Sequence, residues 1–315
     1  MPAAELGTPA PPPNGANAMK ATLTTERFSD PAWIYERKLD GIRCIAVRDG
    51  GEVRLRSRNE KSLNGRYPEL AEALNDEPCD RFAVDGEVVA FDGSQTSFAK
   101  LAQRGQRYVP VFYYVFDILW LDGCDVRALP LKIRKRLLKQ ALSFKGHVRF
   151  TPHRNEHGEE FFKRACRKGW EGLIAKRADS TYGDGRSRDW LKFKCEHGQE
   201  LVIGGYTAPQ GSRTHFGALL LGYYEAGGLR YAGKVGTGFD EQLLASLGAE
   251  LRKRETSEPP FADAATIKER RVTWVEPQLV AQVGFSEWTA AGRLRHPRFL
   301  GLRDDKAATE VVRER

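Results

Sequence analysis

Two patterns are missing from this sequence of 315 residues: a long apolar run and paired cysteines. No apolar stretch approaches the roughly 18 residues that a membrane-spanning helix needs. The five cysteines are an odd number, lie far apart and include no C-x-x-C pair, and the six histidines show no metal-ligand spacing. Neither a disulfide framework nor a zinc site is therefore predicted, and a reducing cytoplasm is the expected location.

The N-terminal segment also lacks a signal-peptide pattern. Residues 1–20 are rich in Ala, Pro and Gly, and they contain no basic stretch followed by an apolar core. This composition predicts a disordered tail. The net charge of +8 favours a polyanionic partner, although many basic proteins bind no nucleic acid.

From about Ala21 onward, short strands and helices alternate, and the texture changes after Lys194. Before it, a hairpin is predicted from Ile42–Arg48 and Val53–Ser57 around an Asp-Gly-Gly turn. Further predicted elements in this part are helices at 67–74, 97–104, 131–142 and 159–168 and a buried strand at 109–120. After it come short strands, glycine-rich turns and one helix at 240–254, which favours a small closed barrel such as an OB-fold. The domain boundary is predicted near Cys195–Gln199.

The segment from Glu36 to Arg43, which contains a K-x-D-G motif, is the central candidate for chemistry. In an extended strand, Lys38 and Asp40 would share a face because side chains alternate with a period of two. A lysine nucleophile must lose its proton, and positive neighbours or a metal ion would lower its pKa. The plain alternative is a polar strand end that leads into a hairpin. Requiring both Glu36 and Arg43 around the motif makes a chance match rare.

Four other segments supply weaker candidates. Arg58 closes the hairpin and could clamp a phosphate, or it could be one more exposed basic residue. Glu87 begins an apolar strand and could hold Mg²⁺ or a ribose hydroxyl. Phe116 could stack on a base, although an aromatic in such a run is more often core, and Glu171 stands at the mouth of a further strand.

The segment Trp190–Lys194 is a sharper signal. Alternation sends Lys192 and Lys194 to one face and Leu191 and Phe193 to the other, towards a core. Two neighbouring ammonium groups repel unless an anion lies between them. A triphosphate would supply that anion, and the pair would also stabilise charge that develops during its transfer.

Read in order, these segments resemble the motif set of the covalent nucleotidyltransferases, the superfamily of ATP-dependent ligases and mRNA-capping enzymes. The subgroup most similar is the ligase module of bacterial end-joining ligases, the ligase-D type, and the resemblance runs from about Thr25 to Lys306. The C-terminal stretch from Gly292 to Lys306 is especially like that subgroup. The resemblance implies an α+β fold: a nucleotidyltransferase (ATP-grasp-like ligase adenylation) domain over 21–196, then a small β-barrel OB-fold domain over 197–315.

The resemblance also implies roles for individual residues. Lys38 would accept AMP, and Asp40 belongs to the same catalytic motif. The nucleotide-contacting set would be Glu36 at the adenine edge, Arg43 at the ribose or nick phosphate, Arg58 at the 5′-phosphate, Glu87 at the ribose, Phe116 stacked on adenine, Lys192 and Lys194 at the α-phosphate, and Arg303 and Lys306 at the leaving pyrophosphate. Glu87 and Glu171 would hold metal. Glu60 departs from the pattern, because many relatives carry Gly there, and this puts the local loop shape in question.

The implied activity is ATP-dependent DNA ligation through lysyl-AMP, with ATP and Mg²⁺ (or Mn²⁺) as cofactors and a barrel that closes over ATP and then turns to DNA. The implied setting is a monomer in the bacterial cytoplasm, at the nucleoid when acting. Nicked or broken double-stranded DNA would be the partner, together with a Ku-like end-binding protein. Alternatives are a capping-type guanylyltransferase, an RNA ligase, and a non-catalytic nucleic-acid-binding module. The module is disfavoured by Asp40, Glu87 and Glu171, since acids oppose a phosphate unless a metal lies between them.

Overall fold

The computed structural model describes residues 3–13, 18–105, 108–195, 197–209, 211 and 213–314. The chain divides into two units, Met1–Cys195 and Glu196–Arg315. Among the described residues, no helix is long and apolar enough to span a membrane.

Unit 1 is built mainly from strands. Its strands are β1 Thr8–Pro9, β2 Lys20–Leu23, β3 Trp33–Lys38, β4 Ile42–Asp49, β5 Arg54–Ser57, β6 Arg81–Asp92, β7 Gln95–Thr96, β8 Val111–Leu121, β9 Cys124–Asp125, β10 Val148–Phe150, β11 His153–Arg154, β12 Gly172–Arg177 and β13 Arg186–Lys194. Its helices are α1 Ala3–Leu6, α2 Pro68–Asn75, α3 Phe98–Ala102, α4 Leu131–Ala141 and α5 Gly158–Arg167. One sheet has the order β1-β9-β8-β6-β4-β5, with β10 beside β8 and β7 beside β6, and another has the order β11-β3-β12-β13-β2.

The β11-β3-β12-β13-β2 sheet buries one face against α5. Tyr35, Leu173 and Phe193 come from three neighbouring strands, and they pack with Phe161 and Ala165 of that helix. These strand residues all have odd numbers, so the alternation of side chains leaves the even-numbered residues on the opposite face.

The β4-β6-β8 sheet buries one face against α2, α3 and α4. Cys44 and Val84 belong to this core, together with Leu70 and Leu138 from the helices. On its other face, Phe116 packs with Trp190 of the neighbouring sheet. The two sheets therefore face each other, and the side chains of Arg43, Phe116 and Lys176 lie together in the cleft between them.

Unit 2 centres on a long strand. Its elements are β14 His197–Thr207, β15 Leu219–Glu225, β16 Gly228–Val235, α6 Glu241–Arg252, β17 Glu255–Thr256, β18 Val272–Val275, β19 Val280–Phe285, β20 Glu287–Trp288, β21 Leu294–Arg295 and β22 Arg298–Arg303. Strand β14 pairs with β15, β18 and β19, and β19 pairs with β22. The sheet packs its apolar side chains against Leu244, Leu247 and Leu251 of α6. The side chain of Asp240 caps this helix by accepting a hydrogen bond from Leu243 N (2.8 Å).

Most predicted elements are confirmed with shifts of one to three residues at their ends. The hairpin is β4–β5, and the predicted buried strand is β8. The helix predicted at 97–104 is shorter as an α-helix, since α3 ends at Ala102 and a 3₁₀ turn, Gln103–Gly105, continues it.

The prediction of a disordered tail is wrong for the described part of residues 1–20. Strand β1 pairs with β9, and Trp120 Nε1 donates to Ala10 O (2.7 Å). Met19 is buried, and its amide donates to Tyr182 Oη (3.0 Å). The prediction from composition failed because a Pro-rich segment still has backbone groups that can form hydrogen bonds. Here these groups pair with an edge strand and with a buried side chain.

The prediction about cysteines is also wrong. Cys166 and Cys195 form a disulfide, although 29 residues separate them. Cys166 lies on α5 and Cys195 directly follows β13, and α5 packs on the face of the sheet that contains β13. This proximity is a tertiary contact, so it leaves no spacing signal in the sequence. Cysteine usage therefore no longer supports a reducing location.

Candidate active site

The strand register places the candidate residues of the β3-β12-β13 sheet in rows. Lys38 is opposite Gly172, which is opposite Lys194. Glu36 is opposite Ile174, which is opposite Lys192. These even-numbered residues share the face that points away from α5. The structure thus brings Lys192 and Lys194, which are far from Lys38 in sequence, onto the same surface.

Lys38 is held by acids. Its Nζ lies 2.6 Å from the Glu171 carboxylate, and the two side chains are 18% and 25% exposed. Burial by itself lowers the pKa of Lys38, but Glu171, and then Glu87 and Asp40, outweigh burial and raise the pKa. The expectation that cationic neighbours lower this pKa is therefore wrong for the protein alone. Lys38 is an ammonium group here, and its activation requires compensation of the acidic charge.

Gly172 explains how Glu171 reaches this position. A Cβ at Gly172 would lie 1.8 Å from Phe193 O, and its φ is +148°. Only glycine fits where β12 crosses so close to β13. The carbonyl of Glu171 accepts a hydrogen bond from Cys195 N (3.0 Å), and this bond fixes the start of β12 beside Lys38.

The opposite sheet contributes Arg43, Glu87 and Arg58. Arg43 on β4 is opposite Glu87 on β6, and the β4–β5 register continues towards Arg58 just beyond β5. Arg43 binds the buried Asp85 through two short hydrogen bonds, and its guanidinium lies 4.7 Å from the centre of the Phe116 ring. Burial lowers the pKa of Arg43, but Asp85 more than reverses this effect. Arg43 is therefore a fixed cation in the wall of the cleft.

Phe116 is only 8% exposed. Its ring contacts the edge of Trp190 at 5.9 Å between centroids, and Lys176 Nζ lies 4.2 Å from its centre. The ring thus belongs to the packed wall between the sheets, as the core alternative predicts, while it also borders the polar cleft.

Glu36 is buried in an ion cluster. Lys135 from α4 binds Glu36 Oε1 through a short hydrogen bond, and Lys176 Nζ lies 2.7 Å from Glu36 Oε2. Burial opposes ionisation, but the two lysines lower the pKa of Glu36. Sequence reasoning missed both lysines. A signal existed for Lys135, since it lies on the same side of its helix as Leu131 and Leu138.

Asp40 has a different environment from the one expected. Strand β3 ends at Lys38, and the Asp40 carboxylate accepts a hydrogen bond from Phe98 N (2.8 Å) at the start of α3. The Asp40 amide donates to Thr96 Oγ1 (3.1 Å). These bonds fix the chain that follows Lys38, and a direct catalytic part for Asp40 stays a prediction.

Arg303 and Lys306 belong to unit 2. Arg303 pairs with Asp305 (2.7 Å), and Lys306 Nζ lies 3.2 Å from Glu200 Oε2. Both are oriented within their own unit, and their part at the pyrophosphate stays a prediction.

The acids around Lys38 fit a divalent cation. Glu171 contacts the Lys38 amine, Glu87 is near enough to help raise the pKa of Lys38, and both acids supply hard oxygen donors. In the described part of the chain, no group of three or more His, Cys, Asp or Glu side chains forms a closed metal cage. Mg²⁺ usually takes one or two carboxylates together with substrate phosphates, so two acids are an adequate set.

Comparison with known proteins gives consistent matches over both units. The family model described as "ATP dependent DNA ligase domain" matches residues 13–194, and "ATP dependent DNA ligase C terminal region" matches 212–306. The multifunctional non-homologous end joining DNA repair protein LigD of Mycobacterium tuberculosis H37Rv is 40% identical over 286 residues, which is 90% of this chain and 37% of the relative. The Pseudomonas aeruginosa LigD is 39% identical, over 90% of this chain and 35% of the relative. The chain thus spans a little over a third of these relatives.

A solved structure agrees with the sequence relatives. Mycobacterial DNA ligase D complexed with ATP and MES superposes with a TM-score of 0.70 at 38% identity, and the match covers 94% of this chain and 98% of that one. This similarity and the two family models confirm the predicted fold class, a nucleotidyltransferase domain followed by an OB-fold domain.

Proposed function

The chain belongs to the family of ATP-dependent DNA ligases, and from this premise we propose that it joins 5′-phosphate and 3′-hydroxyl ends in double-stranded DNA through a lysyl-AMP on Lys38. The observation that carries the proposal is the row of Lys38, Gly172 and Lys194 on adjacent strands. In this row Lys38 and Lys194 lie on one face of the sheet, two strands and about 10 Å apart, and Glu171 contacts the Lys38 amine directly. This arrangement supports an attacking amine and a phosphate-binding cation in one site.

In the first step, the Lys38 ammonium releases a proton to water, its neutral Nζ attacks the α-phosphorus of ATP, and a second proton leaves the nitrogen for water. An N–P bond forms, the bond from the α-phosphorus to the bridging oxygen breaks, and pyrophosphate leaves with the electron pair. Lys192 and Lys194 offset the negative charge that develops on the transferred group. Glu87 and Glu171 would hold Mg²⁺ or Mn²⁺, and the bound ion would supply positive charge to the phosphate oxygens and offset the acids that keep Lys38 protonated.

In the later steps, the 5′-phosphate of DNA takes AMP from Lys38, and the 3′-hydroxyl then displaces AMP to form the phosphodiester. Fixed guanidinium groups suit the 5′-phosphate, and Arg58 lies beyond β5 on the side of Arg43. We propose end joining during DNA repair as the biological setting, which is what the names of the LigD relatives state for those proteins. We further propose that the protein acts as a monomer in the bacterial cytoplasm at the nucleoid, with a Ku-like end-binding protein as partner.

Mass spectrometry tests the proposal. After incubation with ATP and Mg²⁺, we expect one AMP adduct on the Lys38 peptide, none on Lys38→Ala, and an unchanged adduct on the surface control Lys253→Ala. The adduct should discharge on nicked DNA and yield sealed product, and nicked RNA and labelled GTP serve as the competing substrates. An adduct on another side chain, stable labelling by GTP alone, or no adduct in folded, metal-loaded protein would overturn it.

A further inference from the structure

The row of Lys38, Gly172 and Lys194 lies at the end of all three of its strands. Lys38 is the last residue of β3, Gly172 is the first residue of β12, and Lys194 is the last residue of β13. Glu171, which contacts the Lys38 amine, stands one residue outside β12. Because the ends of a strand ladder open more readily than its interior, this row needs further support if its geometry is to stay fixed.

The two lysines of β13 are supported unequally. Lys192 is opposite Ile174 of β12 on one side and opposite Leu23 of β2 on the other. The described pairing of β13 with β2 ends at Lys192, and Lys194 beyond it pairs with β12. Arg27 Nη2 also donates to the Lys194 carbonyl, over 3.4 Å. The position of Lys194 therefore depends strongly on how the chain is held directly after it.

The disulfide holds the chain at this point. Cys195 directly follows Lys194 and is bonded to Cys166 of α5. The amide of Cys195 donates to Glu171 O (3.0 Å), so one residue fixes both Glu171 and Lys194. The bond closes a covalent ring that contains the whole of β12 and β13, since both strands lie between residues 166 and 195. Ring closure removes conformational freedom from the segment inside it, and it therefore opposes the opening of these strand ends.

The disulfide is accessible to thiol chemistry, and the free cysteines are poorly suited to interfere with it. Cys166 and Cys195 are each half-buried, so a small reductant can reach their sulfurs. Cys44 and Cys124 are buried, and the pKa of Cys79 is raised to about 11, mainly by burial. A thiol with such a pKa is almost fully protonated at neutral pH, and only a thiolate exchanges with a disulfide. Reversible exchange should thus be confined to the bonded pair.

Resting on the proposed function, we propose that the Cys166–Cys195 bond is a redox switch for the adenylylation of Lys38. The disulfide form holds the row in its reactive geometry, and the dithiol form reacts more slowly. In a cytoplasm, the location proposed above, disulfides are usually transient or redox-sensing.

A dithiol reductant operates the switch. One of its thiolates attacks one sulfur of the bond, and the other cysteine leaves as a thiolate. The second thiolate of the reductant then breaks the mixed disulfide. The reductant ends as a cyclic disulfide, and its two electrons and two protons remain on Cys166 and Cys195 as thiols.

Adenylylation of the two redox forms tests the proposal on the unmodified protein. One sample is treated with oxidised glutathione and the other with dithiothreitol, both are desalted, and alkylation followed by mass spectrometry verifies the state of Cys166 and Cys195. Single-turnover formation of the Lys38 adduct with ATP and Mg²⁺ is then measured at a temperature where circular dichroism shows both forms folded. We expect the dithiol form to be about 10-fold slower, since a displacement of about 1 Å can cost on the order of 100-fold. Reoxidation should restore the rate.

Hydrogen exchange locates the effect. Reduction should accelerate amide exchange several-fold in the peptide that contains Lys194 and Cys195, because the end of β13 opens more often, and it should leave the β4–β5 hairpin unchanged. A general loss of stability would accelerate exchange in both peptides, so the comparison separates a local brace from a merely stabilising bond.

Variants assign the effect to this bond. Cys166→Ser and Cys195→Ser should each adenylylate at the rate of the dithiol form and should not respond to dithiothreitol. Cys79→Ser is the matched control, since it keeps the bond and should behave like the unmodified protein in both states.

Three results would overturn the inference: equal or faster adenylylation by the dithiol form, a response to dithiothreitol that persists in Cys166→Ser, or cysteines that stay unbonded after treatment with oxidised glutathione. No adduct in either redox form would instead overturn the proposed function, and the hydrogen-exchange comparison would still decide whether the bond braces the row.

Discussion

Replacement of Glu171 by Gln should free the amine of Lys38 in the absence of metal. The Lys38 ammonium lies 2.6 Å from this carboxylate, and the carboxylate is the first of the acids that raise the pKa of Lys38 against the effect of burial. Gln has the same shape and retains an oxygen, so the change removes mainly charge. With the acid gone, burial favours the neutral amine.

Coulomb's law sets the size of the effect. Two unit charges about 4 Å apart interact by about 4 kcal/mol at an effective dielectric constant of about 20, and by about 1 kcal/mol in water. Lys38 and Glu171 are 18% and 25% exposed, so their environment lies between these limits. At a given pH the ratio of amine to ammonium should rise by roughly 5- to 700-fold, since each 1.4 kcal/mol is a factor of ten. Because the folded-state pKa of Lys38 is raised, the pair stabilises the fold at neutral pH, and this stability is lost as pH rises through that pKa.

Competitive chemical labelling measures this ratio directly. Only the neutral amine reacts with acetic anhydride, so the modification of Lys38, read by mass spectrometry across an alkaline pH series without nucleotide or metal, follows its ionisation. Lys253, whose side chain is 67% exposed, serves as the reference amine in the same digest. Glu160→Gln, at an exposed position on α5, is the control for the loss of one negative charge.

The reasoning would be refuted if Lys38 in Glu171→Gln were labelled no faster than in the unmodified protein.

A second expectation concerns the metal: Mg²⁺ alone should accelerate the labelling of Lys38 in the unmodified protein and have little effect in Glu171→Gln. Equal acceleration in both proteins would remove Glu171 from the metal site.

Three further predictions concern stability and are measured by denaturant unfolding. Glu60 has a φ of +61°, so Glu60→Gly should raise the free energy of unfolding by about 1 kcal/mol. An equal gain in Glu60→Ala would show that backbone strain at this φ is not the cause. Gly172→Ala should lower the free energy of unfolding by at least about 2 kcal/mol, because a Cβ there would lie 1.8 Å from a carbonyl oxygen of the next strand. The control Gly183→Ala should leave the free energy of unfolding nearly unchanged, because nothing lies within 4 Å of a Cβ at that position. Loss of the Cys166–Cys195 disulfide in Cys166→Ser should lower the free energy of unfolding by about 3 kcal/mol, since the bond closes a loop of 29 residues. Dithiothreitol should lower it by the same amount in the unmodified protein and have no further effect in the variant.

The departure noted at Glu60 has a structural counterpart. The family resemblance marks this position as one where many relatives carry Gly. In the structure, Glu60 adopts a left-handed conformation in the turn after β5, and its amide donates to Ser57 O (2.9 Å). The turn keeps its shape although Glu60 is strained there, because a residue with a Cβ has a higher backbone energy at a positive φ.

The sequence by itself determined the features that depend on neighbours along the chain. The alternation that separates Lys192 and Lys194 from Phe193 follows from strand geometry and is confirmed by the register with β12. The hairpin at β4–β5 follows from its turn residues, and the motif order was enough for the family and the fold class.

Only the tertiary structure decided what surrounds each of these groups. Acids rather than cations contact Lys38, Lys135 and Lys176 enclose Glu36, and Cys166 meets Cys195. Each contact joins elements that are distant in sequence, and it depends on which faces the sheets and helices bury against one another. Local alternation determines the face of the strand on which a side chain lies. The groups that contact this side chain depend on the packing of the whole unit, and these contacts set its pKa and its chemistry.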